Sequence, residues 1–172
     1  MQTPSQTVGP YFAYGLAPEQ YGYDFKSAFG NGASPDRQKD TLTVMGKVYD
    51  GEGRPIPDAM IEIWQNDGEK QFFGRFGTGT DPENRFIFHA PKPASVEGQA
   101  PFFVVIVFMR GQLIHSFTRM YFSDESELNA RDEALNAVPS ERRHTLVAQK
   151  NGDAYVFDIR MQGDDETVFF DV

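Results

Sequence analysis

Catalysis needs side chains that hold metals, move protons or attack substrates, and this sequence is short of most of them. It contains three histidines, His89, His115 and His144. No two lie within four residues of each other, so no pair shares one face of a strand or helix. A metal site built by this chain alone is therefore poorly supported, and each histidine reads as a surface or hydrogen-bonded polar residue. Cysteine is absent, which excludes disulfides, thiolate metal sites and a cysteine nucleophile. No G-x-S-x-G elbow or phosphate-binding glycine loop occurs. Carboxylates crowd one stretch: Asp50, Glu52, Asp58, Glu62, Asp67 and Glu69. Most neighbour Gly or Pro, no spacing selects two of them as an acid and base pair, and they read as solvated turn acids. Arg110 stands apart, because it ends an apolar run just before Gly111. A strand-end arginine presents a rigid fork to a carboxylate, either as a structural ion pair or toward a ligand.

That run, Phe102 to Met109, is rich in Phe, Val and Ile. It is far shorter than the roughly 20 apolar residues of a membrane helix. Its composition predicts a β-strand buried on both faces. Around it, "TLTVMGKVYD", "AMIEIWQND", "RFIFHAP" and "QLIHSFTRMYF" alternate apolar and polar residues and are separated by Gly/Pro/Asp turns such as "GEGRPIPD". Short strands at this spacing predict an all-β protein with a β-sandwich core. Asn151-Gly152 between two apolar runs predicts a hairpin, and "ETVFFDV" reads as the last strand. One short helical region is expected near 124–138, with Ser123 or Asp124 as its N-cap and Pro139 as its stop.

Residues 1–40 differ from the rest. "GPYFAYG" and "GNGASPDRQ" are turn chemistry, and the segment reads as an extended arm. Its aromatics are expected to lie on a surface, the chain's own or a partner's. The expected organisation is thus an N-terminal arm, 1–40, packing on a partner, and one domain, 41–172. The 172 residues suit one domain, and 40% hydrophobic residues supply a sizeable core. A formal net charge of −9 argues against binding a phosphate backbone. No basic-then-apolar leader opens the chain, so no signal peptide is expected, and the expected compartment is the cytoplasm.

Four stretches carry a resemblance: "TPSQTVGPYF" at Thr3–Phe12, "GKVYDGEGRPIPDAMIEIWQND" at Gly46–Asp67, "TRMYFSDE" at Thr118–Glu125 and "DIRMQGDDETVFFDV" at Asp158–Val172. In this order they are similar to the intradiol ring-cleavage dioxygenases, and "QGDDETVFFD" points to the family's alpha-type chains. The resemblance implies a β-sandwich in a hetero-oligomer of paired alpha and beta subunits. It implies a ferric ion held by two tyrosines and two histidines of the beta subunit, the histidines in a His-x-His pattern on one strand. The matching positions here are Phe102 and Val104, with the tyrosine positions falling near Phe72 and Val96. None is a ligand, so this chain is expected to bind no iron, its metal face having become core. It is expected to have no catalytic residue of its own. The resemblance further implies that Thr7, Gly9, Pro10 and Arg110 line the substrate pocket of the beta subunit. Thr7 would offer a hydroxyl, Gly9 and Pro10 close backbone, and Arg110 a charge for the substrate carboxylate. Tyr11 is a weaker candidate. The implied reaction cleaves protocatechuate with dioxygen, between its two hydroxyls, to 3-carboxy-cis,cis-muconate in the beta-ketoadipate branch of aromatic catabolism.

A competing reading is a stand-alone, non-catalytic β-sandwich module that binds small aromatic ligands. A hydrolase using the turn carboxylates is a third reading, which no spacing favours.

Overall fold

The apolar and polar alternation read from the sequence becomes eight strands and a short ninth in the computed structural model, which describes residues 4, 6–27, 40–66, 71–96 and 98–171. The strands are β1 (Leu42–Tyr49), β2 (Met60–Asn66), β3 (Gln71–Gly77), β4 (Arg85–Ala90), β5 (Phe102–Phe108), β6 (Ser116–Phe122), β7 (Val147–Asn151), β8 (Ala154–Val156) and β9 (Ile159–Arg160). Their hydrogen-bonded order is β3-β2-β5-β6-β7-β8-β1-β4, with β9 beside β1. β7 belongs to two ladders. Val147 and Ala148 pair in parallel with Tyr121 and Phe122, and Gln149 to Asn151 pair antiparallel with β8. The strands on either side of β7 fold over each other as two layers.

Residues one period of two apart on facing strands supply the core between the layers. Ile61, Ile63, Phe103, Val105, Val107, Met120 and Phe122 come from one layer; Val44, Val48, Phe86, Phe88, Tyr155, Phe157 and Ile159 come from the other. Within the second layer, the backbone of β1 and the link between β8 and β9 approach closely at Gly46. A side-chain carbon there would sit 1.8 Å from the Phe157 carbonyl oxygen, so only glycine fits. The Asn151-Gly152 hairpin forms as expected, with Gly152 at φ +58°.

Four expectations are revised. β5 is buried on one face only: Phe103, Val105 and Val107 are at most 1% exposed, while Phe102, Val104, Ile106 and Phe108 are half-buried. Among the described residues that outer face is only partly covered: Phe102 packs against a second apolar cluster that includes Ala100, Tyr121 and Leu135, while Val104 lines a cavity. The helical region is two short helices, α2 (Ser126–Asn129) and α3 (Glu133–Ala137). Neither Ser123 nor Asp124 caps them; the buried Asp132 accepts the Leu135 N–H at 2.8 Å and caps α3. "ETVFFDV" makes an isolated bridge, Phe117 to Phe170, rather than a strand. Finally, the arm is not simply extended, because Phe12–Leu16 form a helical turn, α1.

The described part of the arm, residues 6–27, lies on the chain's own sandwich. Ala13 and Ala17 are buried beneath it. Gln20 imitates a paired strand, donating to the Gly77 carbonyl at 2.8 Å and accepting the Gly77 N–H at 2.9 Å. The "GNGASPDRQ" turn, Asp67 and Glu69 lie outside the described residues. No helix among the described residues is long and apolar enough to cross a membrane.

Candidate functional site

Two neighbourhoods carry the residues singled out by the sequence. The first lies where β5 ends. The chain leaves Phe108, turns at Gly111 with φ +89°, a conformation glycine adopts freely, and presents Arg110. The Arg110 Nε meets Oδ2 of Asp58 at 2.5 Å; the contact is an ion pair rather than an aligned hydrogen bond. The arginine side chain stays 57% exposed, while Asp58 is 15% exposed. The arm reaches the same turn. Thr7 Oγ1 accepts the Gly111 N–H at 2.9 Å and donates weakly to the Val8 carbonyl at 3.4 Å. Its hydroxyl thus ties the arm to the Arg110 turn. Gly9 and Pro10 follow, both exposed, and the Gly9 carbonyl accepts the Phe12 N–H. Nothing lies within 4 Å of where a Gly9 side chain would start, so the backbone there is open to an incoming group. Tyr11 is 73% exposed and stacks edge-on against Tyr14.

The second neighbourhood is the outer face of β5. Val96, Phe102 and Val104 line one cavity of about 260 Å³, together with Trp64, Pro93 and Ala100. Three of the four positions that the resemblance marks as ligands therefore converge in space. The fourth does not: Phe72 pairs with Gln65 and packs against the core, on the opposite face of β3, and it is Phe73 that faces Trp64 at 4.4 Å. "QFFG" offers two adjacent phenylalanines, and period-two geometry puts only one of them on the cavity side. Among the described residues that line it, apart from Gln65 and Gln99 and the Trp64 indole the side chains are apolar, and none is an imidazole, phenol or carboxylate. Ferric iron takes nitrogen and oxygen donors of that kind, so the cavity does not fit it. Among the described residues no three His, Asp or Glu side chains are grouped to hold a metal. The histidines are scattered. His89 hydrogen-bonds Thr43 Oγ1 at 3.1 Å, His115 packs between Phe108 and Phe117, and His144 pairs with Asp165 at 3.4 Å.

Sequence reasoning missed the groups that hold these walls. Glu62, read as a turn acid, is 5% exposed. It accepts from Arg75 Nε at 2.8 Å and from the Trp64 indole N–H at 3.1 Å. Arg75 also donates to the Leu16 carbonyl at 3.2 Å, tying α1 to the sheet. Asp132 accepts the Ala100 N–H at 2.9 Å and the Tyr121 hydroxyl at 3.1 Å, anchoring the loop that closes the cavity. Burial is the main cause pushing the Tyr121 hydroxyl up to about 12. The signal for Glu62 was present: it alternates with Ile61 and Ile63 on a strand, not in a turn.

No family model matches the chain. Known proteins do. It is 50% identical to the protocatechuate 3,4-dioxygenase alpha chain of Burkholderia cepacia, over 99% of this chain and 98% of that one. It is 37% identical to the protein of the same name from Pseudomonas putida, over 99% and 96%. The solved intradiol ring-cleavage dioxygenase from Tetranychus urticae superposes with a TM-score of 0.55 at 16% identity, covering 92% of this chain and 93% of that one, which shows a shared fold. The chain belongs to the intradiol ring-cleavage dioxygenases, a family of iron-dependent oxidoreductases. Within that family, the relatives it matches along almost their whole length are alpha chains of protocatechuate 3,4-dioxygenase.

Proposed function

We propose that this chain is the alpha subunit of a protocatechuate 3,4-dioxygenase. The ferric iron is held by a beta subunit, and this chain completes the pocket in which protocatechuate meets dioxygen. The observation that carries the reading is the contrast between the two neighbourhoods. Three of the four positions that the resemblance marks as ligands line an apolar cavity, while Arg110 stands exposed at a turn fixed by Thr7 and Asp58.

The role of this chain's residues follows from their chemistry. Asp58 holds Arg110 through Nε, and the remaining guanidinium edge can pair with the benzoate-type carboxylate of the substrate in a two-point contact. Gly9 and Pro10 bring bare backbone near the bound ring, and Thr7 sets the distance between arm and arginine. The arm packs on this chain's own sandwich and also presents Tyr11, Tyr23 and Phe25, each at least 46% exposed, to the beta subunit. Exposed aromatics clustered on one segment are what a subunit interface covers. The proposed compartment is the cytoplasm. No observation favours a stand-alone binding module.

The test is to isolate a tagged copy from cells that also express the neighbouring genes, then measure iron and accompanying chains. A second chain that carries the iron, with none left on this chain after separation, is expected. Iron bound in proportion to this chain alone would overturn the proposal.

A further inference from the structure

The cavity on the outer face of β5 remains a built space although its walls no longer suit a metal. Its two aromatic walls are braced from behind. The Trp64 indole is fixed by its hydrogen bond to Glu62 and by Phe73. Phe102 is fixed by the Arg119 guanidinium, 4.3 Å from its ring centre. The closing loop is pinned by Asp132 to Ala100 and by Ser95 Oγ, which donates to the Gln99 carbonyl at 2.5 Å. At about 260 Å³ the space exceeds the roughly 150 Å³ in which an apolar protein cavity takes up benzene. Trp64, 44% exposed, stands at its mouth, so solvent molecules can enter and leave.

We propose that this cavity binds a small, neutral, single-ring aromatic molecule. Size and wall chemistry select that class. Aromatic and branched aliphatic side chains favour a flat apolar ring, and such a preformed apolar pocket with few polar groups is a ligand site. No ionisable side chain among the described residues lines it. Of the charged groups behind the walls, Glu62 is paired with Arg75, and Arg119 lies over the Phe102 ring and donates to the Tyr121 hydroxyl. A carboxylate entering the cavity would lose its water without an ion-pair partner among the described lining residues, which favours a neutral ring over an aromatic acid.

The experiment is a fluorine NMR titration of the purified protein, with whatever chain accompanies it, using 4-fluorotoluene, which has neither hydroxyl nor carboxylate. Saturable line broadening is expected. Val104→Phe and Val96→Phe, which fill the space from two sides, are expected to weaken it roughly tenfold or more. The same variants are expected to leave 4-fluorobenzoate binding unchanged. A titration without saturation, or one that both variants leave intact, overturns the proposal. Should the variants fail to fold, crystals of the wild-type protein soaked in 4-bromotoluene decide the matter. An anomalous bromine peak between Trp64 and Phe102 supports it, and an aromatic side chain of another subunit filling that space overturns it.

Discussion

Arg110 and Asp58 form an ion pair that is unequal in burial: the carboxylate is 15% exposed and the guanidinium 57%. The acid sits in the protein wall and the arginine reaches out from it. No other described residue bonds the outer edge of the guanidinium. This arrangement suits a charge that must stay oriented while remaining free for a second, transient partner.

For Arg110→Ala, the Michaelis constant for protocatechuate is expected to rise about ten- to a hundredfold, the size of one lost charge-assisted contact. The constant for catechol, which has no carboxylate, should stay near the wild-type value. Steady-state kinetics on the assembled enzyme with both substrates checks this. Equal losses on the two substrates would mean that Arg110 serves packing and not recognition.

Asp58→Asn tests orientation. The amide keeps the shape of the side chain and removes the charge that holds Nε. A several-fold rise in the Michaelis constant for protocatechuate, about threefold to tenfold, is expected, with kcat changed less. Asp58→Glu should restore part of it. A fall in thermal midpoint with no kinetic effect would assign Asp58 a purely structural role.

Glu62 and Arg75 are both nearly inaccessible, with side chains 7% and 12% exposed. Glu62→Gln leaves a buried guanidinium without its counter-charge and should cost about 3 kcal/mol of stability or more. Adding Arg75→Met to Glu62→Gln should recover much of that loss, because the pair is then replaced by groups that need no charge partner. Denaturant midpoints of the assembled protein decide it. A double variant that is no more stable than Glu62→Gln would contradict the buried-charge account.

Acid should loosen the end of the sandwich at Asp124. Partial burial pushes this carboxyl up, but hydrogen bonds from Tyr155 and Lys150 and the charge of Lys92 prevail and hold it at about 2, below its ordinary 3.8. A carboxyl lowered on folding stabilises the protein above its unfolded value, and that contribution fades as pH falls from about 4 toward 2. Thermal midpoints measured across that window should fall less steeply in Asp124→Asn than in wild type. Parallel slopes would remove Asp124 from the acid response.

The sequence disclosed β1, β2, β4 and β6 because each keeps part of an apolar and polar alternation and is bounded by turn residues. It concealed β3, "QFFGRFG", because the two glycines and Arg75 interrupt the pattern. Those glycines exist for contacts elsewhere in the chain, Gly74 against Phe88 and Gly77 against Tyr21. The double burial expected of Phe102–Met109 failed for a related reason. Composition reports that both faces are apolar but not whether a layer lies over each. At the site, the convergence of Val96, Phe102 and Val104 could be anticipated only by resemblance. The partners Asp58, Glu62 and Asp132 lie 52, 13 and 32 residues from the groups they hold, Arg110, Arg75 and Ala100. No local pattern connects groups so far apart.

The shared strand β7 bears on how the protein is made. β1 emerges early from the ribosome, yet one of its edges is completed only by β8 and β9, at residues 154–156 and 159–160. Until then that edge is an open template for any extended chain nearby. The nascent polypeptide therefore cannot close its sheet until residues 154–160 have been synthesised. Loss of β8 and β9 would leave an exposed, aggregation-prone seam rather than a slightly smaller sandwich.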